Sequence, residues 1–178
     1  ALRLEVDSVV TSECGHAYRA LRWDAPSIWG QSLPFTVVNI IELADSLLRD
    51  GKISCDPRPN RLPVTYHDPC NIARNGGIIE EPRRLLQACV QDFREMTPNR
   101  EHNWCCGGGG GLNAIEKFTE LRRQVGSIKL RQLQNSGAAV VATSCANCKL
   151  QLTDILRHND LDLGCMSLSE LVAASLVI

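Results

Sequence analysis

Five cysteines in the second half of the chain have the residue type and spacing of a metal-binding set. A single cysteine is followed by an adjacent pair and then by a Cys-x-x-Cys: Cys70, Cys105, Cys106, Cys145 and Cys148. Five thiolates exceed the four that a structural zinc or a cubane [4Fe-4S] cluster uses, so the surplus indicates a bridging ligand or an unconventional cluster. The alternative is a zinc site with one spare thiol. Zinc ribbons, however, prefer two Cys-x-x-Cys knuckles, and this chain has one.

The segments around these cysteines indicate how they are directed at one centre. Cys70 follows an apolar run, the adjacent pair precedes the glycines at 107–111, and the Cys-x-x-Cys precedes a helical pattern over 150–156. Helix N-termini and glycine-rich turns offer free N–H groups, which stabilise thiolates. Adjacent cysteines on a strand point to opposite faces. We therefore expect Gly107 and Gly108 to supply the backbone freedom that turns both thiols to one cofactor.

Short β-branched runs alternate with helical patterns along the chain. This alternation predicts an α/β fold with mostly parallel strands and flanking helices. The predicted strands are residues 6–10, 62–66 and 138–142. The predicted helices are residues 39–49, 82–93, 113–134 and 168–176. Asn39 with Glu42 and Ser167 with Glu170 have the spacing of a capping box, and the prolines within 56–63 predict a loop.

The segment that leads into the Cys-x-x-Cys has a counterpart near the start of the chain. Residues 9–14 match residues 140–145, but Ala17 stands where the later copy has Cys148. We predict that residues 1–55 are the back half of a degenerate first repeat, poor in metal, whose front half lies upstream. Residues 62–178 are predicted to be a complete second repeat that carries the cofactor.

The composition fits one or two small folded domains. The chain has 178 residues, of which 44% are hydrophobic, and a net charge of −1, which gives no overall reason to bind nucleic acid. The apolar tail at 171–178 is shorter than the roughly 20 residues that span a bilayer. Nine cysteines, an odd number, argue against a secreted disulfide scaffold. We therefore expect a cytoplasmic protein with no direct membrane span.

Three motifs together resemble a known family. Asp68-Pro69-Cys70, Cys105-Cys106-Gly107 and Thr143-Ser144-Cys145-x-x-Cys148 are similar to the cysteine-rich CCG domain of heterodisulfide reductases and their relatives. Those relatives include subunits of anaerobic glycerol-3-phosphate, lactate and glycolate oxidising complexes. Residues 13–17, residues 80–84 and the glycine run most resemble DsrK-type subunits of the membrane complex of dissimilatory sulfur metabolism.

The resemblance implies a pseudo-repeated CCG domain in which the five cysteines hold a noncubane [4Fe-4S] cluster, with Gly107 and Gly108 beside it. It implies an oxidoreductase that delivers electrons to a disulfide or trisulfide, in DsrK relatives that of the small sulfur carrier DsrC, with Cys105 and Cys106 at the reacting centre. The expected partners are that carrier and membrane-bound electron-transfer subunits at the cytoplasmic face of the inner membrane. The chain has no ferredoxin-like cysteine motif, so it is not expected to turn over alone.

Two alternative functions stay open at this point. One is an electron-relay subunit of a flavin- or quinone-linked dehydrogenase complex, and the other is a structural zinc-binding module. The glycine run also permits a dinucleotide site. That hypothesis fails because two cysteines precede the glycines and no acidic residue follows at the end of a next strand.

Several other residues are candidates for a role at the site. Histidine as a residue type titrates near neutrality, so His67, with Asp68, could give a proton to a leaving thiolate. The alternative is a capping and turn role for Asp68-Pro69. For Cys14 and His16 a helix-start role is favoured over metal binding. Arg74 and Asn75 could offer positive or amide donors near the cluster, with a solvated loop as the alternative. Four arginines are interpreted as ordinary polar helix faces, namely Arg83, Arg84, Arg122 and Arg123. Three cysteines are interpreted as small buried hydrophobes, namely Cys55, Cys89 and Cys165.

Overall fold

A computed structural model describes residues 1–109 and 111–177, without the side chain of Leu2. Gly110 of the glycine run and Ile178 of the apolar tail lie outside the described residues. The strands of this part of the chain form two sheets, and every neighbouring pair within them is parallel. The smaller sheet pairs β1 (Ser8–Thr11) with β2 (Thr36–Asn39). The larger sheet has the order β4-β3-β5-β6, with β3 (Val64–His67), β4 (Phe93–Arg94), β5 (Val140–Thr143) and β6 (Gly164–Ser167).

Helices connect these parallel strands, so the predicted α/β fold with parallel strands and flanking helices is confirmed. The helices are α1 (Gly15–Arg19), α2 (Ala25–Trp29), α3 (Ile40–Arg49), α4 (Glu81–Cys89), α5 (Thr119–Ser136), α6 (Ala146–His158) and α7 (Leu168–Ser175). A π-helical turn, Ala20–Asp24, joins α1 to α2. Among the described residues, no helix combines the length and the apolar character that crossing a bilayer requires.

The two capping boxes form as predicted and begin α3 and α7. The Asn39 side chain accepts from the backbone N–H of Ile41, and Glu42 accepts from the Asn39 N–H at 2.8 Å. At α7, the Ser167 side chain accepts from the backbone N–H of Glu170, and the Glu170 side chain accepts from the Ser167 N–H. Each cap ends a strand. Asn39 pairs with Thr11 in one sheet and Ser167 with Thr143 in the other. The two halves therefore share one local arrangement, while the repeat itself stays a prediction.

Several predicted boundaries were wrong. Helix α4 ends at Cys89 because Val90 is already extended, and Phe93 belongs to β4 rather than to the helix. The long helix was predicted from residue 113 but begins at Thr119. Two 3-10 turns precede it, and Ile115 between them is extended, which interrupts the helix. The strands β2, β4 and β6 and the short helices α1 and α2 were not predicted.

Both faces of the larger sheet are covered, as expected for parallel strands. Val140 and Ala142 point into one core, which Tyr66, Leu85 and the α7 residues Leu168, Leu171 and Val172 also fill. Val141 points into the opposite core, between α5 and α6, because side chains alternate along a strand. Cys106, Cys145 and Cys148 belong to this second core. The cysteines of interest are thus part of the packed interior.

Ion pairs between α5 and α6 correct the interpretation of Arg122 and Arg123 as an ordinary polar face. Both guanidiniums contact the Asp154 carboxylate, at 2.6 and 2.8 Å. Arg122 also donates to Gln151 at 2.7 Å. Hydrogen bonds from Arg123, and then from Arg122, lower the pKa of Asp154 from 3.8 to about 2.

This pKa shift predicts a pH dependence of stability. A carboxyl group whose pKa is lower in the folded state stabilises the fold above its unfolded pKa and ceases to do so as the pH falls through the folded value. For Asp154 the loss should run from about pH 4 down to about pH 2. We expect urea midpoints of wild type and Asp154→Asn to differ near neutrality and to converge toward about pH 2. A constant difference over this range would contradict the assignment.

Candidate metal centre

The five predicted cysteines converge at the carboxyl edge of the larger sheet. Strands β3 and β5 are adjacent and parallel, and His67 pairs with Thr143 at their ends. The chain therefore leaves both strands at the same edge, with Cys70 after β3 and Cys145 after β5. Cys105 and Cys106 reach this edge from the loop between β4 and α5. Cys145 is the N-cap of α6 and Cys148 lies in its first turn. Two residues three apart at a helix start share one face.

The thiols of these five residues form one cluster. The Sγ atoms of Cys106 and Cys148 are 3.4 Å apart. Cys105 lies near enough to Cys70 and Cys106 for these thiols to lower its pKa, and Cys148 does the same to Cys145. All nine cysteines lie within the described residues, and each of them has a free thiol. The structure thus brings the whole predicted set together.

The thiol cluster is open on one side. Cys106, Cys145 and Cys148 are 2%, 4% and 5% exposed, whereas Cys70 is half-buried and Cys105 is exposed. Solvent and a substrate can therefore reach the edge formed by Cys70 and Cys105. The other three thiols are inside the core between α5 and α6.

The protonation of the five thiols is strongly coupled. Hydrogen bonds from Cys106 and then Cys70 hold the pKa of Cys105 far below its usual range. The Cys148 thiol, and then backbone groups that include Gly15, lower the pKa of Cys145 to about 5. The neighbouring Cys105 thiol raises the pKa of Cys106 to about 12. Because two thiolates cannot lie in contact without a positive charge, the cluster ionises fully only around a cation.

This donor set fits a thiophilic metal group. Soft thiolates select zinc and iron-sulfur clusters over hard cations, and five of them exceed one tetrahedral zinc site. The ring of His67 faces the same centre. One of its nitrogens and the Sγ atoms of Cys106 and Cys148 lie within 4.8 Å of one another. Burial, and then the charge of Lys129, hold the pKa of His67 well below its usual range, so the ring is neutral near pH 7.

The predicted glycines pack closely on neighbouring segments, Gly107 on helix α5 and Gly108 on Asn113 and Gln151. Gly107 has φ +93°, and a Cβ there would be 2.8 Å from the carbonyl oxygen of Arg122. A Cβ on Gly108 would be 2.6 Å from the Asn113 side chain. These positions require glycine because the loop packs closely on protein. Their contact with a cofactor stays a prediction.

Asp68 and Arg83 form a buried ion pair beside the cluster. The carboxylate of Asp68 receives two bonds from Arg83, at 2.7 and 2.8 Å, and one from the Arg100 N–H at 2.7 Å. Arg83 is 2% exposed, so its interpretation as a polar surface residue was wrong. Arg84 likewise pairs with buried Asp45, at 2.7 Å. Both arginines lie on α4, but Arg83 is inside the protein whereas the Arg84 side chain is 38% exposed.

The remaining candidates have structural positions. The Cys14 thiol accepts from the Ala17 N–H and caps α1, and His16 is exposed, which matches the favoured helix-start role. Arg74 donates to the carbonyl oxygens of Glu101 and Asn103, at 2.7 and 2.5 Å, and so ties the Cys70 loop to the Cys105 loop. Cys89 is fully buried as predicted, whereas Cys55 and Cys165 are only partly buried.

The loop at residues 13–15, near the start of the chain, also lies against the thiol cluster. The sequence analysis did not predict this contact. The backbone of Gly15 lowers the pKa of the Cys145 thiol. The Glu13 carbonyl accepts from the Ala146 N–H at 2.8 Å. The Glu13 side chain accepts from the Ser169 N–H at 3.1 Å. These contacts join chain positions too distant for local patterns to link.

We expect Gly15→Ala to loosen the centre. The new Cβ would be 2.9 Å from the Asn71 Cβ, so the Glu13 loop must shift and its bond to Ala146, next to Cys145, must weaken. Overpacking of this kind costs about 1–3 kcal/mol of unfolding free energy, and bound metal should pass faster to a chelator. Gly109→Ala is the matched control, since a Cβ there meets nothing within 4 Å. Equal release rates for both variants would contradict this prediction.

Comparison with known proteins agrees with the resemblance to the CCG cysteine-rich domain. A model of the CCG cysteine-rich domain matches residues 64–153. The chain is similar to a subunit of the dihydromethanophenazine:CoB–CoM heterodisulfide reductase of Methanosarcina acetivorans, 33% identical over 86% of this chain and 37% of that protein. It is similar to the Hdr-like menaquinol oxidoreductase iron-sulfur subunit of Archaeoglobus profundus, 30% identical over 85% of this chain and 34% of that protein.

A third similarity is to the EtfAB:quinone oxidoreductase of Syntrophomonas wolfei, 27% identical over 79% of this chain and 20% of that protein. The chain therefore spans less than half the length of these relatives. The segment that matches the CCG domain runs from β3 into α6 and includes all five converging cysteines.

Proposed function

Because the chain belongs to the CCG cysteine-rich domain family and is heterodisulfide reductase-like, we propose that it is the iron-sulfur domain of an oxidoreductase that reduces a sulfur–sulfur bond. The observation that carries this proposal is the convergence of five free thiols at one edge of the sheet, three of them buried and Cys105 exposed. The cofactor would be a noncubane [4Fe-4S] cluster bound by Cys70, Cys105, Cys106, Cys145 and Cys148.

The exposed edge and the buried side of the centre have different roles in this proposal. Reductive cleavage of a disulfide consumes two electrons and two protons and releases two thiols. A cluster bound here would supply the electrons singly and offer iron to a substrate sulfur. The exposed edge at Cys105 and Cys70 admits the substrate, while the core around Cys106, Cys145 and Cys148 excludes water. His67 presents its ring at the buried side.

The proposed substrate and partners rest on the resemblance to DsrK-type subunits. Residues 13–17 and 80–84 resemble DsrK-type subunits, which supports a disulfide or trisulfide of a DsrC-type sulfur carrier as the substrate. The electrons would come from membrane-bound electron-transfer subunits, with this domain at the cytoplasmic face of the inner membrane. The names of two relatives, a heterodisulfide reductase and a menaquinol oxidoreductase subunit, support a position in such a complex.

A second candidate is an electron-relay subunit of a flavin- or quinone-linked dehydrogenase complex. The similarity to EtfAB:quinone oxidoreductase supports it, since that protein is named for electron transfer to a quinone. In that case the same cluster would pass electrons on without meeting a disulfide. The intact complex would then oxidise its dehydrogenase substrate and leave disulfides and trisulfides unchanged.

Metal analysis of anaerobically purified protein tests the proposal. We expect about four irons and matching acid-labile sulfide per chain, and a paramagnetic signal by electron paramagnetic resonance after mild oxidation. One zinc without iron would overturn the redox function and leave a structural zinc module. If iron is present, assays of the intact complex with carrier disulfides and with hydroxy-acid or quinol substrates distinguish the two redox candidates.

A further inference from the structure

A chain of three buried polar side chains leads from helix α5 to the thiol cluster. Lys129 on α5 is 0% exposed, Asn103 4% and His67 1%. A buried lysine is costly unless its amine has partners. Here the amine donates to the side-chain oxygen of Asn103 at 2.5 Å and to the sulfur of Met96 at 3.3 Å. Both partners are acceptors, so the amine donates to them whether or not it carries a charge.

These bonds fix the orientation of the Asn103 amide. Its oxygen accepts from Lys129, and its nitrogen donates to the backbone carbonyl of Asp68 at 2.9 Å. A flipped amide would oppose oxygen to the Asp68 carbonyl and NH₂ to the Lys129 amine. Both of these arrangements are unfavourable, because Asp68 offers only an acceptor and Lys129 chiefly donors. The amide nitrogen must therefore also face Nδ1 of His67, which lies 3.2 Å away.

The tautomer of His67 follows from this orientation. Because an amide N–H points at Nδ1, that nitrogen must accept, and the neutral ring carries its proton on Nε2. The protein offers Nε2 no hydrogen-bond partner among the described residues, although the atom is buried. Buried N–H groups without a partner are rare in folded proteins. One nitrogen of this ring lies within 4.8 Å of the sulfurs of Cys106 and Cys148. Since Nδ1 already faces Asn103, Nε2 is the nitrogen left to meet them.

We propose that Lys129 and Asn103 are positioning residues that lock His67 in the Nε2–H tautomer, so that this N–H donates a hydrogen bond to a sulfur of the metal centre. The inference rests on the proposed function for the identity of that centre. The fixed tautomer, however, depends only on side chains of the protein and not on a bound metal. His67 then acts as a fixed donor rather than as the proton source that the sequence suggested. Hydrogen bonds to cluster sulfurs raise the reduction potential of an iron-sulfur centre. We therefore expect the hydrogen bond from Nε2–H to raise the reduction potential of this centre.

The tautomer can be measured directly in the full-length chain without iron. Long-range ¹H–¹⁵N correlation spectra report which ring nitrogen carries the proton, and the His67 signals are assigned by their loss in His67→Gln. We expect protonated Nε2 in the wild type. In Asn103→Asp, one carboxylate oxygen accepts from Lys129 and the other replaces the amide nitrogen that faces Nδ1. This second oxygen also opposes the Asp68 carbonyl, but it cannot donate to Nδ1 and accepts from Nδ1–H, so the resonances of Nδ1 and Nε2 should exchange places. Protonated Nδ1 in the wild type, or an unchanged tautomer in the variant, would overturn the lock.

Lys129→Met provides a second test that keeps the length of the side chain. Without the amine, only the Asp68 carbonyl opposes a flipped Asn103 amide, so we expect the Nδ1–H tautomer to gain population. A single Nε2–H tautomer in Lys129→Met would show that Lys129 has no positioning role. Neither spectrum depends on a cluster, so these results stand even if metal analysis contradicts the proposed function.

The reduction potential of the iron-loaded protein tests the second half of the proposal. Asn103→Asp should lower the midpoint potential. Its new charge, however, acts on the centre directly as well. The same substitution in a His67→Phe background keeps that direct effect and removes the donor, so the difference between the two shifts isolates the action through His67. Asn75→Asp, on the exposed Cys70 loop, is a control for added charge. Equal shifts in both backgrounds would overturn the proposal that His67 donates to the centre.

Discussion

Replacing Cys106 with serine should strip the protein of iron while leaving the chain folded. Cys106 is the most buried of the five converging cysteines and contacts both the exposed and the buried thiols, through Cys105 and Cys148. A serine hydroxyl is a hard and weakly acidic ligand, poorly matched to an iron-sulfur centre. It has nearly the size of the thiol, so the surrounding core is preserved. We expect iron to fall from about four per chain to less than about one, with the visible absorbance lost in parallel.

A control separates loss of a ligand from loss of a thiol. Cys55→Ser changes a half-buried cysteine in the other core and should retain its iron and its absorbance. The far-ultraviolet circular dichroism of both variants should match the wild type. Full iron content in Cys106→Ser would contradict the proposed ligand set.

Removal of the Asp68 carboxylate should give the largest loss of stability. Asp68→Ala leaves Arg83 in the interior, its side chain 3% exposed, with Glu95 as its remaining acidic partner. Breaking one side of a buried ion pair costs about 3–5 kcal/mol, because the other charge stays desolvated. Since Glu95 still contacts Arg83 at 2.8 Å, we expect a loss near the lower limit, about 3 kcal/mol of unfolding free energy. Urea unfolding of the iron-free protein measures it without a contribution from metal loss.

An exposed ion pair is the appropriate comparison. Asp56 and Arg58 are 2.6 Å apart at the surface, and exposed pairs contribute little because water screens them. Asp56→Ala should therefore leave the urea midpoint almost unchanged. If Asp68→Ala has an effect as small as this control, the buried pair does not stabilise the fold. In Asp68→Ala the Arg100 N–H also loses its acceptor, which frees the chain shortly before Cys105. We therefore expect the variant to retain iron less well.

Local chemistry made part of the fold predictable. Asn39 and Ser167 each precede an acidic residue by three positions, and a capping box is formed within one turn of the chain. Strands β3 and β5 are rich in β-branched residues and were located to within two positions. In these cases the signal and the structure involve the same few residues.

The missed strands depend on distant partners. Strand β6 has the sequence Gly-Cys-Met-Ser, which has little intrinsic preference for strand, and it forms because β5 offers a parallel edge. Strand β4 is only two residues long and pairs with β3. The start of α5 was misplaced because residues 113–118 have a helical pattern but form 3-10 turns.

The thiols of the candidate site were predictable, but the residues that support them were not. Cysteine spacing identified five thiols that the structure brings together. Arg83 and Lys129 lie in helices, where charged residues usually face solvent, and no local feature distinguishes them from surface residues. Glu13 accepts from the Ala146 N–H, next to Cys145, from a segment far away in the chain. Burial and partner choice are set by tertiary packing, which a single sequence does not display.

The uneven exposure of the five thiols also constrains how the cofactor is loaded. An iron donor cannot touch Cys106, Cys145 or Cys148 in the closed structure, because the core covers them. Loading must therefore precede closure of that core or accompany a local opening of the chain. The segment best suited to open carries Cys105, which is exposed and followed by glycine. Maturation of the centre would then be limited by a conformational step, and conditions that slow this opening would slow both the insertion of iron and its escape.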